Sequence, residues 1–204
     1  MGEQANTNWQ PSTPGKARAA VLGALLLAAS PAIGQGMEIT PLAKPQTPSL
    51  VLSVGDGDTL TVLDGGHKRV VRLACIDAPE LSQGAAGARA KAALQTLAPP
   101  GSSVTLKVQT TDRYGRTVAE VFRSGAPQPV NQALVRQGHA FVYWTYLQQC
   151  DGLAYGESER AARSHQLGVW GPGASDGPGH GSGLSEGLLR PWDYRACKRN
   201  KTCS

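Results

Sequence analysis

Asp56-Gly57-Asp58-Thr59-Leu60 is followed, after an apolar run, by Arg72-Leu73-Ala74-Cys75-Ile76-Asp77-Ala78-Pro79-Glu80. Asp58 and Asp77 fall at the edges of two short apolar runs that lie side by side if they pair as strands. Two carboxylates converging there, with a main-chain carbonyl, would make a hard oxygen site suited to Ca²⁺ or Mg²⁺. Asp-Gly pairs are also common hairpin formers, so the first run by itself reads equally as turn chemistry. Arg72 is a charge inside an apolar strand, where it either pairs with a buried carboxylate or faces a ligand. A second segment, Asp112-Arg113-Tyr114-Gly115-Arg116-Thr117-Val118-Ala119-Glu120-Val121-Phe122, sets Arg116 at the start of another strand, just after a glycine. Two guanidinium groups meeting at one point can grip a phosphate and stabilise charge that develops on it. Glu80, pinned behind Pro79, is a carboxylate that could orient and deprotonate an attacking water. Each residue is ambiguous alone. Together they form a kit for hydrolysing a phosphodiester.

Short strands must carry these groups. Ser49 to Val54, Thr59 to Leu63 and Arg69 to Ile76 are rich in Val, Leu and Ile, punctuated by Gly55-Asp56-Gly57 and Asp64-Gly65-Gly66. That pattern predicts an antiparallel three-strand meander. Ala85 to Leu97 reads as a helix stopped by Pro99-Pro100, Val104 to Val108 and Thr117 to Phe122 as two more strands. Val130 to Gln137 and Tyr155 to His165 read as further helices. The order suits an α+β, mainly β fold: a five-stranded barrel of the OB type with about three helices.

The remaining organisation concerns address and ends. Lys16 and Arg18 precede an apolar stretch, Ala19 to Ala29, and a small-residue exit ending at Gly34. This reads as a signal peptide over residues 1–34, cleaved near Gly34, with an uncleaved anchor as the alternative. The stretch falls well short of the ~20 residues a spanning helix needs. A secreted or periplasmic protein follows, with no stable membrane association after cleavage. Residues 35–48 read as a linker, 49–170 as the folded domain, 171–187 as a Gly/Ser/Pro linker and 188–204 as a basic, cysteine-containing tail. Lysine and arginine number 20 against 15 acidic residues, a modest excess that favours polyanionic partners without specifying one. The four histidines stand apart with no metal-ligand spacing, and the four cysteines contain no CxxC pair, which argues against a zinc ribbon.

The two segments resemble the paired signature patterns of the staphylococcal nuclease family at every constrained position, over roughly Ser49 to Trp170. The resemblance implies that Asp58, Asp77 and the carbonyl of Ala78 bind Ca²⁺. It implies further that Glu80 is the general base, and that Arg72 and Arg116 hold the phosphate. The substrates would be DNA and RNA, cleaved with little sequence preference to leave 3′-phosphate ends, and no obligate protein partner is evident. Trp144 and Tyr146 fall where the family lines its nucleotide pocket, and Arg113 and Tyr114 could contact a terminal phosphate. The alternative is a catalytically weak or inactive nucleic-acid-binding module on the same barrel. Four cysteines permit three pairings. The resemblance brings Cys150 toward the third strand, which suggests Cys75–Cys150 with Cys197–Cys203 in the tail. A free, buried Cys75 is the competing reading.

Overall fold

A computed structural model of the chain describes residues 47–172 and 188–203. The expected signal peptide lies outside the described residues, as does most of each expected linker. The meander forms as β1 (Ser49–Val54), β2 (Thr59–Asp64) and β3 (His67–Leu73), paired antiparallel in order. Period-two patterning drives it: Leu60 and Val62 are fully buried while Thr59 and Thr61 are not. The β2–β3 hairpin turns on Gly65 and Gly66, both at positive φ (56° and 83°), the conformation a two-residue I′ turn demands.

The third strand is shorter than its apolar run suggests. It stops at Leu73, and the chain turns through Ala74-Cys75 before Ile76–Asp77 starts again as β4. Cys75 sits at φ 66°, which ends the ladder, and its carbonyl accepts the Tyr143 N–H at 2.9 Å. β4 then pairs with β7 (Phe141–Val142) in a small separate sheet. The kink matters because it re-aims Asp77.

After α1 (Ala85–Leu97), β5 (Ser103–Thr111) and β6 (Thr117–Arg123) pair antiparallel, β6 runs parallel to β3, and β5 returns to β1. The result is the closed five-stranded barrel that the sequence predicts, with its strands in the order β1-β2-β3-β6-β5. Its interior is Val51, Leu60, Val62, Val71, Leu73, Val104 and Val121, plugged by Leu94 of α1 and Leu134 of α2 (Val130–Arg136). Asn131 on α2 is fully buried and stitches three backbones together. Its Oδ1 accepts the Val121 N–H at 2.9 Å, and its Nδ2 donates to the carbonyls of Ala74 and Ala119 at 2.9 and 3.1 Å. α3 spans Gly152–Ser164, starting three residues before the apolar pattern indicates, because Asp151 caps it by accepting the Ala154 N–H at 3.0 Å.

The segment read as a tail folds into a helix, α4 (Pro191–Asn200), with Pro191 in its first turn. Leu188 is buried beside Phe141, Ala162, Val169 and Trp170, and Trp192 packs against that second cluster. Both disulfides form, Cys75–Cys150 and Cys197–Cys203. Among the described residues no helix is long and apolar enough to cross a membrane.

Candidate active site

Asp58 ends the β1–β2 turn, whose shape is set by the Asp56 carboxylate accepting the Asp58 N–H at 3.1 Å. The Leu73 N–H donates to the Asp58 carbonyl at 2.8 Å, locking that turn to the end of β3. Asp58 Oδ2 accepts the Ala78 N–H at 2.8 Å and lies 3.1 Å from Arg72 Nη2. The same Nη2 donates to Asp77 Oδ1 at 2.8 Å. Two carboxylates from separate turns therefore converge on one guanidinium nitrogen, and Ala78 is tied to the first of them.

Both carboxylates are buried, Asp77 completely and Asp58 to 7% exposure. Burial above all raises the Asp58 pKa, to about 7, against the opposing pull of Arg72 and the Ala78 N–H and with smaller contributions from Asp56 and Asp77. Among the described residues no three or more His, Cys, Asp or Glu side chains gather as a metal cluster. Two carboxylates supplemented by a backbone carbonyl and water suit a hard cation that keeps part of its hydration, and do not suit zinc or copper. On donor chemistry, the residues present fit Ca²⁺ or Mg²⁺.

Arg72 is held more tightly than a phosphate clamp requires. Its Nη1 donates to the carbonyls of Leu73 at 2.7 Å and Ile76 at 3.0 Å, bridging the β3–β4 kink. Arg116 does not meet it through any contact described. It stands immediately before Thr117, the β6 partner of Val71, so the backbone places both arginines at one end of the parallel β3–β6 pair. Its Nε donates to Asp112 Oδ2 at 2.8 Å, and its guanidinium lies over the Tyr114 ring at 5.5 Å. Arg113 caps the same ring and donates to the Tyr114 hydroxyl at 2.6 Å. Burial works against the Asp112 charge, but the backbone N–H and guanidinium of Arg116 and the Tyr114 N–H outweigh it and hold this carboxyl below its usual range.

Glu80 leads into a 3₁₀ turn, Leu81–Gln83, where its N–H donates to Gln83 Oε1 at 2.9 Å. Behind it, α1 approaches so closely that a Cβ at Gly87 would overlap the Glu80 carbonyl. Trp144 and Tyr146 lie on a 3₁₀ turn and are both exposed, with the Tyr146 ring edge-on to Tyr143 at 4.8 Å. Tyr143, which the sequence reading passes over, stands nearer the chemistry. It stacks on Trp192 (5.2 Å between centroids, 10° between planes), and burial, with Asp77 next, raises its hydroxyl pKa.

The largest surprise is Arg195 of α4. Its Nη2 donates to Asp77 Oδ2 at 2.6 Å, and its Nη1 to Asp77 Oδ1 at 3.2 Å and Glu80 Oε1 at 2.7 Å. With Tyr194, Lys198 and Arg199 it walls a cavity of about 330 Å³ that Glu80 and Ser82 also line. The sequence reading has this segment as a basic, cysteine-containing tail and assigns it neither a helix nor a place at the site.

Comparison with known proteins agrees with this geometry. The family model described as staphylococcal nuclease homologue matches residues 70–172, from the middle of β3 past Trp170. An uncharacterized endonuclease of Haemophilus influenzae is 40% identical over 121 residues, covering 59% of this chain and 64% of that protein. The micrococcal nuclease of Shigella flexneri is 34% identical over 160 residues, covering 74% of this chain and 82% of its own length. Protein ParB of Escherichia coli is 36% identical over 158 residues, covering 74% of this chain and 80% of its own length.

Proposed function

The chain belongs to the staphylococcal nuclease family, and on that premise we propose that it is an exported, calcium-dependent phosphodiesterase acting on DNA and RNA with little sequence preference. The observation that carries the proposal is the convergence of Asp58 and Asp77 on Arg72, with Glu80 joined to Asp77 through a shared arginine. Asp58, Asp77 and the Ala78 carbonyl would hold Ca²⁺, which when bound supplies charge neutralisation at the phosphate.

The protein's own groups do the rest. Arg72, fixed by two carbonyls and two carboxylates, presents its charge without reorganising during the reaction. Arg116, oriented by Asp112, faces the phosphate from the start of β6, at the same end of the β3–β6 pair as Arg72. Glu80 takes a proton from the attacking water as oxygen bonds to phosphorus. The 5′ oxygen then departs with the bonding pair and collects a proton, leaving a 3′-phosphate. Arg113 and Tyr114 would steady a neighbouring phosphate. Trp144 and Tyr146 would stack on bases, a grip that tolerates many sequences.

The test is direct. Full-length chain incubated with plasmid DNA, or with RNA, should degrade both in Ca²⁺ and neither in excess chelator. Cleavage that persists in chelator overturns the calcium assignment, and inert protein in Ca²⁺ leaves the binding-module reading standing. Export is tested separately. Protein recovered from periplasm or medium should begin at Gln35, the residue after Gly34.

A further inference from the structure

Asp77 carries two arginines, and only one of them belongs to the barrel. Arg72 reaches it from β3 and Arg195 from α4, so both Asp77 oxygens already accept charged donors, and Arg195 engages Glu80 as well. A guanidinium 2.6 Å from a carboxylate oxygen occupies the space and supplies the charge that a cation would bring to that oxygen. We propose that Arg195 is an active-site residue that contends with the divalent cation for Asp77 and engages Glu80 while the cation is absent. Cation binding and release of this guanidinium are then two faces of one equilibrium.

The helix is anchored without Arg195. Trp192 stacks on Tyr143 and meets Phe141 edge-on at 6.1 Å. Gln83 Nε2 donates to the Leu189 carbonyl at 2.8 Å, and the Tyr194 hydroxyl donates to the Ser82 carbonyl at 3.1 Å. Leu188 is buried. These contacts bring the helix against the site, and the arginine side chain can swing away while the helix stays. Released from the carboxylates, its charge would remain beside Lys198 and Arg199 on the wall of the same cavity. In the cation-free enzyme one oxygen of Glu80 is thereby already engaged, accepting the Arg195 hydrogen bond. The same contact relieves repulsion among Asp58, Asp77 and Glu80 when no cation is present.

This inference rests on the cation site proposed above, so the experiment must separate the two. Ca²⁺ alone is titrated calorimetrically into the full-length chain, into Arg195→Gln, into Lys198→Gln and into Asp77→Ala. Contention requires Arg195→Gln to bind Ca²⁺ at least about 5-fold tighter than wild type, the lower end of typical site-to-site coupling. Asp77→Ala should lose binding. Trp192→Ala, which loosens the whole helix, should shift affinity in the same direction as Arg195→Gln. Lys198→Gln removes one nearby charge without touching Asp77 or Glu80 and should change affinity little. Arg195→Gln binding no tighter than wild type sinks the contention while leaving the cation site intact. Equal tightening in Lys198→Gln and Arg195→Gln also overturns it, since net charge alone would then explain the effect. No Ca²⁺ binding by any variant overturns both readings.

Discussion

Glu80 and Arg72 show how differently two residues of one site can be embedded. Glu80 is tied through its side chain to Arg195 and is about one-third exposed, so it can change partners. Replacing it with Gln keeps the shape and removes the base. Turnover should fall by the roughly 10²–10⁴ typical of a general base, with nucleotide binding retained, as steady-state rates and equilibrium titration will show. Arg72 cannot be exchanged so simply. Lysine would keep the charge but could not donate to two carbonyls and two carboxylates at once. Arg72→Lys should therefore lose both activity and thermal stability, whereas a pure phosphate-steering residue would lose activity alone. Asp112 gives a pH-dependent case. Its carboxyl is held below its ordinary value in the folded protein, so its contribution to stability is present above the unfolded value near 4 and disappears as pH falls through the folded value. Urea unfolding should find Asp112→Asn less stable than wild type at pH 7, with the gap closing below about pH 4. A gap that persists unchanged in acid would mean the carboxylate charge contributes nothing.

At the scale of elements, the site is made where strands end. β2 and β3 bring Asp58 and Arg72 together by register, since Thr59 pairs with Arg72. That much was legible, because alternating apolar residues and Gly-rich turns dictate the meander. The β3–β4 kink was not legible. Arg69 to Ile76 is continuously strand-like in composition, and only Cys75 at positive φ breaks it. The tail helix was hidden for another reason. It is short and strongly polar, and it is stabilised by packing on Tyr143, Phe141 and Leu188 rather than by its own sequence. Asn131 holds these pieces in place, joining α2 to the Ala74 turn and to β6. Removing its side chain leaves the buried Val121 N–H without that partner, an expected cost of ~1–3 kcal/mol. Denaturant melts of Asn131→Ala should show it, and hydrogen exchange should quicken first at Val121. Glu120, within the second signature, proves structural. It is buried and accepts the Tyr155 hydroxyl at 2.9 Å and Lys107 Nζ at 2.9 Å, bracing α3 against the barrel.

At the scale of the whole molecule, the barrel and the exposed aromatic turn are separate pieces of chain joined by one covalent link. Cys75 sits in the kink between the strands carrying Arg72 and Asp77, and Cys150 follows the turn bearing Trp144 and Tyr146. The Cys75–Cys150 bridge closes a loop with a sequence separation of 75, whereas Cys197–Cys203 closes one of only 6. In the chain-entropy description the long loop contributes on the order of 4 kcal/mol by restricting the unfolded chain, and the short one less. The two bridges should also differ in what they protect. Opening the long one frees the Trp144–Tyr146 turn from the Asp77 kink, while opening the short one loosens only the last turn of α4. Cys75→Ser/Cys150→Ser should therefore lower the denaturant midpoint strongly and weaken nucleotide affinity, and Cys197→Ser/Cys203→Ser should lower the midpoint by about half as much. Peptide mapping of denatured, unreduced protein supplies the prior check: a Cys75 that alkylates without reductant is not bridged, and the clamp between the aromatic turn and the catalytic strand does not exist.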